Sequence, residues 1–163
     1  MVMTLENAQA IIDSYAANTW LIQRHTEGLT HEESVLQPPF PANCLNWVLG
    51  HILHRRNSAL ELLGLAPLWT DEIGARYRSG SDPITDARAA REFSQLLHDL
   101  EETQRQLTAA LESATGEVLE RVAETDRGTK RVEEHLSGLT WHETYHVGQL
   151  DLLRAMILHS RSG

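Results

Sequence analysis

Apolar residues recur at helical spacing in four long runs of this chain, and the segments between them lack the alternation that marks strands. The first run extends from about Thr4 to Thr26, with Leu5, Ala8, Ile12, Tyr15, Thr19 and Ile22 on one face and Thr4 placed as its N-cap. Gly28 interrupts it. Thr30-His31-Glu32-Glu33 fits a capping box for a short helix, which Pro38, Pro39 and Pro41 cannot continue. A second long helix is expected from near Asn43 to Gly64, with Leu45, Val48, Leu49, Ile52, Leu60 and Leu63 as its buried stripe. Leu65 to Ser81 then reads as a long loop, and long loops in small domains tend to line sites or interfaces. Asp82-Pro83 supplies an N-cap and first-turn proline for the third helix, whose stripe runs through Phe93, Leu96, Leu97, Leu100, Leu107, Leu111 and Ala114 up to Gly116. After a polar turn at Asp126-Arg127-Gly128, the fourth helix is expected from about Thr129 to His159. The pattern predicts an all-α protein, a four-helix bundle with a long crossover after helix 1, filling residues 1–163 as one domain.

The same periodicity ranks the histidines. With about 100° of rotation per residue, Val132, Leu150 and Ile157 fall within about 20° of Leu139, His146 about 20° and His142 about 60° to one side. Both histidines therefore sit on the core stripe, one turn apart, while Trp141 and Tyr145 point away from it. Two inward imidazoles in an apolar stripe are costly unless one partner satisfies both, and a metal ion does so in one step. His135 shares the stripe, but a rise of about 10 Å from His142 removes it from the same ion. On the second helix His51 lies at the edge of the stripe and His54 near the opposite, exposed face, so His51 is the third candidate ligand. Arg56 falls near the centre of that stripe, where it snorkels, pairs with a buried acid such as Glu143, or faces a ligand cavity.

Charge and composition narrow what such a site serves. The chain of 163 residues carries 14 basic against 23 acidic residues, a net charge of −9, and no basic stripe that would follow phosphates, so nucleic-acid binding is disfavoured. A chain this long buries a core without a structural metal, which makes a metal here functional. Its single cysteine, Cys44, allows no internal disulfide and suits a reducing compartment; it reads as a small buried residue near a helix start. The stretch from Met1 to Asp13 lacks a signal peptide's basic start and apolar run, and no later segment is apolar enough to span a bilayer. A cytoplasmic protein with no membrane partner is expected.

Residues 142–146 also spell H-E-x-x-H, the string in which two histidines hold zinc and the glutamate acts as general base. The extended protease form fails, because Gln149 and Leu152 occupy the places of its glycine and third histidine. No strand is expected to hold a peptide. Glu143 is then a candidate catalytic proton shuttle, a hydrogen-bond acceptor behind a ligand, or the ion-pair partner of Arg55 or Arg56.

The motifs N-W-V-L-G-H (Asn46 to His51) and H-E-T-Y-H-V-G-Q-L (His142 to Leu150) together resemble the DinB/YfiT-like superfamily of metal-binding four-helix bundles. The resemblance spans nearly the whole chain, including the G-L-T-x-E-E segment after the first helix. It implies His51, His142 and His146 as ligands of a divalent metal, and homodimers are common in that family. It further implies either a thiol S-transferase or isomerase using a low-molecular-weight bacterial thiol such as mycothiol or bacillithiol, or a metal-dependent hydrolase. A non-enzymatic metal-binding, stress-response dimer is the alternative. Nitrogen ligands suit zinc, nickel, iron and copper, with zinc or nickel expected first and iron or manganese behind them.

Overall fold

The computed structural model describes residues 2–162, with side chains from residue 7 onward. Four long helices make the bundle: α1 (Val2–Thr26), α3 (Leu45–Leu62), α5 (Phe93–Ser113) and α7 (Val132–Ser160). Each packs on two neighbours in the cyclic order α1, α7, α3, α5. The backbone of α1 is already helical at Val2, while the side chains of Thr4 and Leu5 lie outside the described residues. In the crossover, α2 (His31–Ser34) carries the expected capping box, with Thr30 accepting from the Glu33 amide and Glu33 accepting from the Thr30 amide.

Three elements depart from the sequence pattern. The loop before the third helix contains a short helix, α4 (Asp71–Tyr77), capped by Thr70. The third long helix begins at Phe93, not at Asp82-Pro83, because other segments use the backbone in between. Gln37 and Cys44 donate to the Ile84 carbonyl, His31 Nε2 to the Ala87 carbonyl and Asn46 to the Arg91 carbonyl. A helix here would spend those acceptors internally. Finally, a short helix α6 (Gly116–Glu120) leads into an antiparallel hairpin, β1 (Val122–Thr125) and β2 (Gly128–Arg131), where no strand was expected. Gly128, at φ 92°, follows the Asp126-Arg127 turn and uses backbone freedom that a side chain would penalise. The fourth helix consequently starts at Val132, not at Thr129.

The bundle interior is two apolar regions separated by a polar layer. One gathers Ile22, Leu49, Ile52, Leu53, Leu100 and Val147, the other Tyr15, Ala59, Leu60, Leu107, Leu136 and Leu139. Between them each long helix contributes a polar side chain: Thr19, Arg56, Gln104 and Glu143. Arg56 is 0 % exposed, and its Nε and Nη2 donate to the two Glu143 carboxylate oxygens at 2.9 and 2.7 Å. Thr19 and Gln104 oxygens and the Leu100 carbonyl take the remaining guanidinium protons. Among the described residues no helix is long and apolar enough to cross a membrane.

Candidate metal centre

The site is built first from the start of α3. Buried Asn46 donates to Ser34 Oγ and the Arg91 carbonyl and accepts from the Tyr77 hydroxyl, tying α3 to the crossover and to the segment after α4. One turn later stands Gly50, where an added Cβ would collide with the Tyr77 ring. Only glycine admits that ring. With Tyr77 seated there, its main-chain carbonyl lies 2.7 Å from His51 Nδ1 and accepts its proton. Trp47 stacks on the other side of the imidazole, with ring centroids 5.0 Å apart and planes at 6°, and is itself held by Nε1 donating to Ser81 Oγ. The His51 Nε2 lone pair is left facing α7.

From α7, His142 and His146 meet it. His146 Nδ1 donates to Gln149 Oε1 at 2.6 Å, which again leaves Nε2 as the free lone pair, and its Nε2 stands 3.1 Å from His142 Nε2. One nitrogen from each of the three rings lies within 4.8 Å of the others. Two imidazole nitrogens bound to one tetrahedral zinc stand about 3.3 Å apart, so the 3.1 Å between His142 and His146 fits a shared ion. Burial pushes the His51 pKa down to about 4, with the neighbouring His146 adding to it against the Tyr77 hydrogen bond. Burial, then the His146 charge, pushes His142 down to about 3, and burial lowers His146 as well. The rings are therefore neutral at pH 7, the form that binds metal. His142 Nδ1 is buried with no hydrogen-bond partner among the described residues. The donor set is three neutral nitrogens, with no cysteine or carboxylate in the group, and it fits a divalent ion of the zinc and nickel type.

The three histidines open into a cavity of about 520 Å³ whose walls include Phe40, Trp47, Tyr145, Leu152 and Leu153 and no Asp, Glu, Lys or Arg among the described residues. Glu143 does not line it. The glutamate of the H-E-x-x-H string is buried beside Arg56, both oxygens engaged, which is the ion-pair reading of that residue. His135 donates from Nε2 to the Ala123 carbonyl and holds the hairpin to α7. His54 is half-buried beneath α4, its Nδ1 3.1 Å from where a Gly74 Cβ would be, and is not among the clustered histidines. Cys44 is buried at the N-cap of α3, and burial pushes its thiol pKa up. Trp69 packs behind Tyr77 and donates to Asp99, outside the cavity, whereas Trp141 is 71 % exposed. Sequence reasoning missed the Tyr77 carbonyl, which has no side-chain signature. Gln149 stood within the matched motif, and its i+3 spacing from His146 was the available signal.

The sequence profile of the DinB superfamily matches residues 17–150. No curated protein matches the chain. A solved structure described as a conserved protein of locus from Enterococcus faecalis superposes with a TM-score of 0.72 at 15 % identity, covering 93 % of this chain and 96 % of that one. At that identity the likeness is one of fold. The profile match covers most of the chain, and the all-helical bundle is consistent with it: the chain belongs to the DinB superfamily.

Proposed function

We propose that this protein is a divalent-metal-dependent enzyme acting on a small molecule, with His51, His142 and His146 as ligands and a low-molecular-weight thiol as the first candidate substrate. The supporting observation is the meeting of three neutral imidazole nitrogens at the floor of an open, uncharged cavity. His51, His142 and His146 would hold the ion through neutral nitrogens that leave its full charge, and it would supply the activation of a thiol or water as nucleophile near neutral pH for transfer or hydrolysis. The chain's own residues orient and enclose. The Tyr77 carbonyl and Gln149 fix which nitrogens face inward, Trp47 and Tyr145 wall the space for an apolar substrate body, and Glu143 with Arg56 holds α7 in register. Zinc or nickel is the proposed metal. The test is metal content by mass spectrometry on untagged protein beside His142→Ala, followed by the absorption spectrum of cobalt-substituted protein with added thiol. One ion per chain in the parent, little in the variant and a thiol-induced spectral change support the proposal. Near-zero metal in both under metal-replete conditions would overturn it, and indifference to every thiol would move the reaction to hydrolysis.

A second reading, a metal-binding homodimer, is favoured by one surface. Trp141, Tyr145 and Leu152 are 71 %, 59 % and 64 % exposed on one face of α7, with the first two stacked. Sedimentation of the parent against Trp141→Glu tests it, a dimer in the first and a monomer in the second being expected.

A further inference from the structure

Beside the metal cavity lies a second recess of about 360 Å³ under the hairpin turn. The two are neighbours along the α3–α7 seam. These helices run antiparallel there, Arg56 meeting Glu143 and His51 approaching His146. Moving one turn along both from His51 and His142, which line the metal cavity, reaches Arg55 and Leu139, which line the recess. Arg127, from the turn itself, completes its cationic end.

We infer that this recess is the arm of the metal site that reads an anionic group, a carboxylate, sulfonate or phosphate, on the substrate. The inference rests on the metal-site reading above and specifies its substrate as a molecule with a metal-binding head and a negative tail.

The cations there are incompletely neutralised. Arg55 Nη1 pairs with Asp126 at 2.9 Å, but its Nε is buried without an acceptor. The Arg127 guanidinium has no hydrogen bond or ion pair to any described residue, although the side chain is half-buried. Burial first, then the like charge of Arg55, works against its charged form, and only Asp126 supports it. An arginine stays charged regardless, so an incoming anion relieves a penalty that the chain alone leaves standing. Among the described residues, two of the three buried polar side-chain atoms without a partner, Arg55 Nε and His142 Nδ1, belong to this seam. Glu61 and Glu124 also line the recess, but both are exposed, where water screens them far more than it screens the half-buried arginines. The metal cavity itself offers no cation to a negative group. Arg127 does.

The test uses the whole chain loaded with cobalt. Mercaptopropionate and mercaptohexanoate are titrated against mercaptopropanol and mercaptohexanol of matched length, following the ligand-field spectrum. The carboxylates are expected to bind about tenfold more tightly in the parent, the equivalent of one charge-assisted hydrogen bond. Arg127→Gln should erase that preference while leaving cobalt affinity and alcohol-thiol affinity unchanged, and Arg127→Lys should restore part of it. Equal affinities for acid and alcohol in the parent, or a preference untouched in Arg127→Gln, would overturn the inference. Should the protein take up no cobalt, the metal reading falls and the recess is judged separately. Methanesulfonate is then titrated into metal-free protein at constant ionic strength, following amide resonances of residues 125–128 by NMR. A saturable shift lost in Arg127→Gln supports the anion arm, and no saturable shift in the parent rejects it.

Discussion

Two polar clusters lie inside this bundle within a turn or two of each other, and they are satisfied in opposite ways. Around Arg56 each guanidinium nitrogen and both Glu143 oxygens have partners within the chain. Around His51 the chain satisfies only the outward nitrogens of two rings, turns three nitrogens toward one another, and leaves His142 Nδ1 unpaired. A buried polar group without a partner costs about 1–3 kcal/mol. The first cluster is thus finished by folding, and the second is left open by it. Adjacent residues on α7, His142 and Glu143, belong to different clusters, which is why the H-E-x-x-H string misleads: its histidines face the cavity and its glutamate faces the core.

The strongest way to break this contrast is to unmake the finished cluster. Arg56→Met leaves the Glu143 carboxylate buried and unpaired, and should cost about 3–5 kcal/mol in urea unfolding. Adding Glu143→Met should recover part of that loss; a single-variant cost below about 1 kcal/mol would deny that the layer is one unit. Next comes the unfinished cluster. Zinc at a hundredfold excess over its Kd should stabilise the parent by about 2.7 kcal/mol, and His142→Ala by almost nothing, while the metal-free variant unfolds at the same urea concentration as the parent or higher. Gln149→Leu, which frees the His146 ring, should weaken metal affinity by about 10–100-fold with the fold intact, read by competition with a chromogenic chelator.

The smallest effect sharpens the role of burial. Arg161 and Glu33 repeat the two-bonded geometry of Arg56 and Glu143 at the surface, at 2.6 and 2.7 Å. The Arg161 hydrogen bond, with the Thr30 amide, lowers the Glu33 pKa to about 2. A carboxyl with a lowered folded-state pKa contributes stability above its ordinary value near 4.5, and that contribution disappears as pH falls through about 2. Arg161→Gln should therefore change the urea midpoint little at pH 7 and shift the Glu33 titration upward, as followed by NMR.

The bundle and its histidines were legible because each rested on helical period. The stripes of Leu45 to Leu63 and of Leu139 to Ile157 set the faces, and those faces separated His51 from His54. They also placed Arg56 centrally, though only the structure chose Glu143 over solvent or a cavity. The hairpin was not legible: β2 is exposed throughout and β1 alternates only between exposed and half-buried, so there was no apolar alternation to find. Asp82-Pro83 misled because its local chemistry suits a helix start, while the demand of Gln37, Cys44, His31 and Asn46 for nearby carbonyls is tertiary. The Arg55–Asp126 pair, linking α3 to a turn 71 residues away, left no local trace either.

The two oriented histidines differ in how exposed they are to mutational loss. His146 is aimed by the Gln149 side chain, which a single substitution removes. His51 is aimed by a carbonyl that every residue type at position 77 would carry, so no change of side chain there deletes the acceptor itself. Its vulnerability has been moved to Gly50, where any added carbon meets the Tyr77 ring and displaces the carbonyl with it. For a designer altering the cavity, position 149 is therefore a dial on the proposed metal affinity and position 50 is a switch.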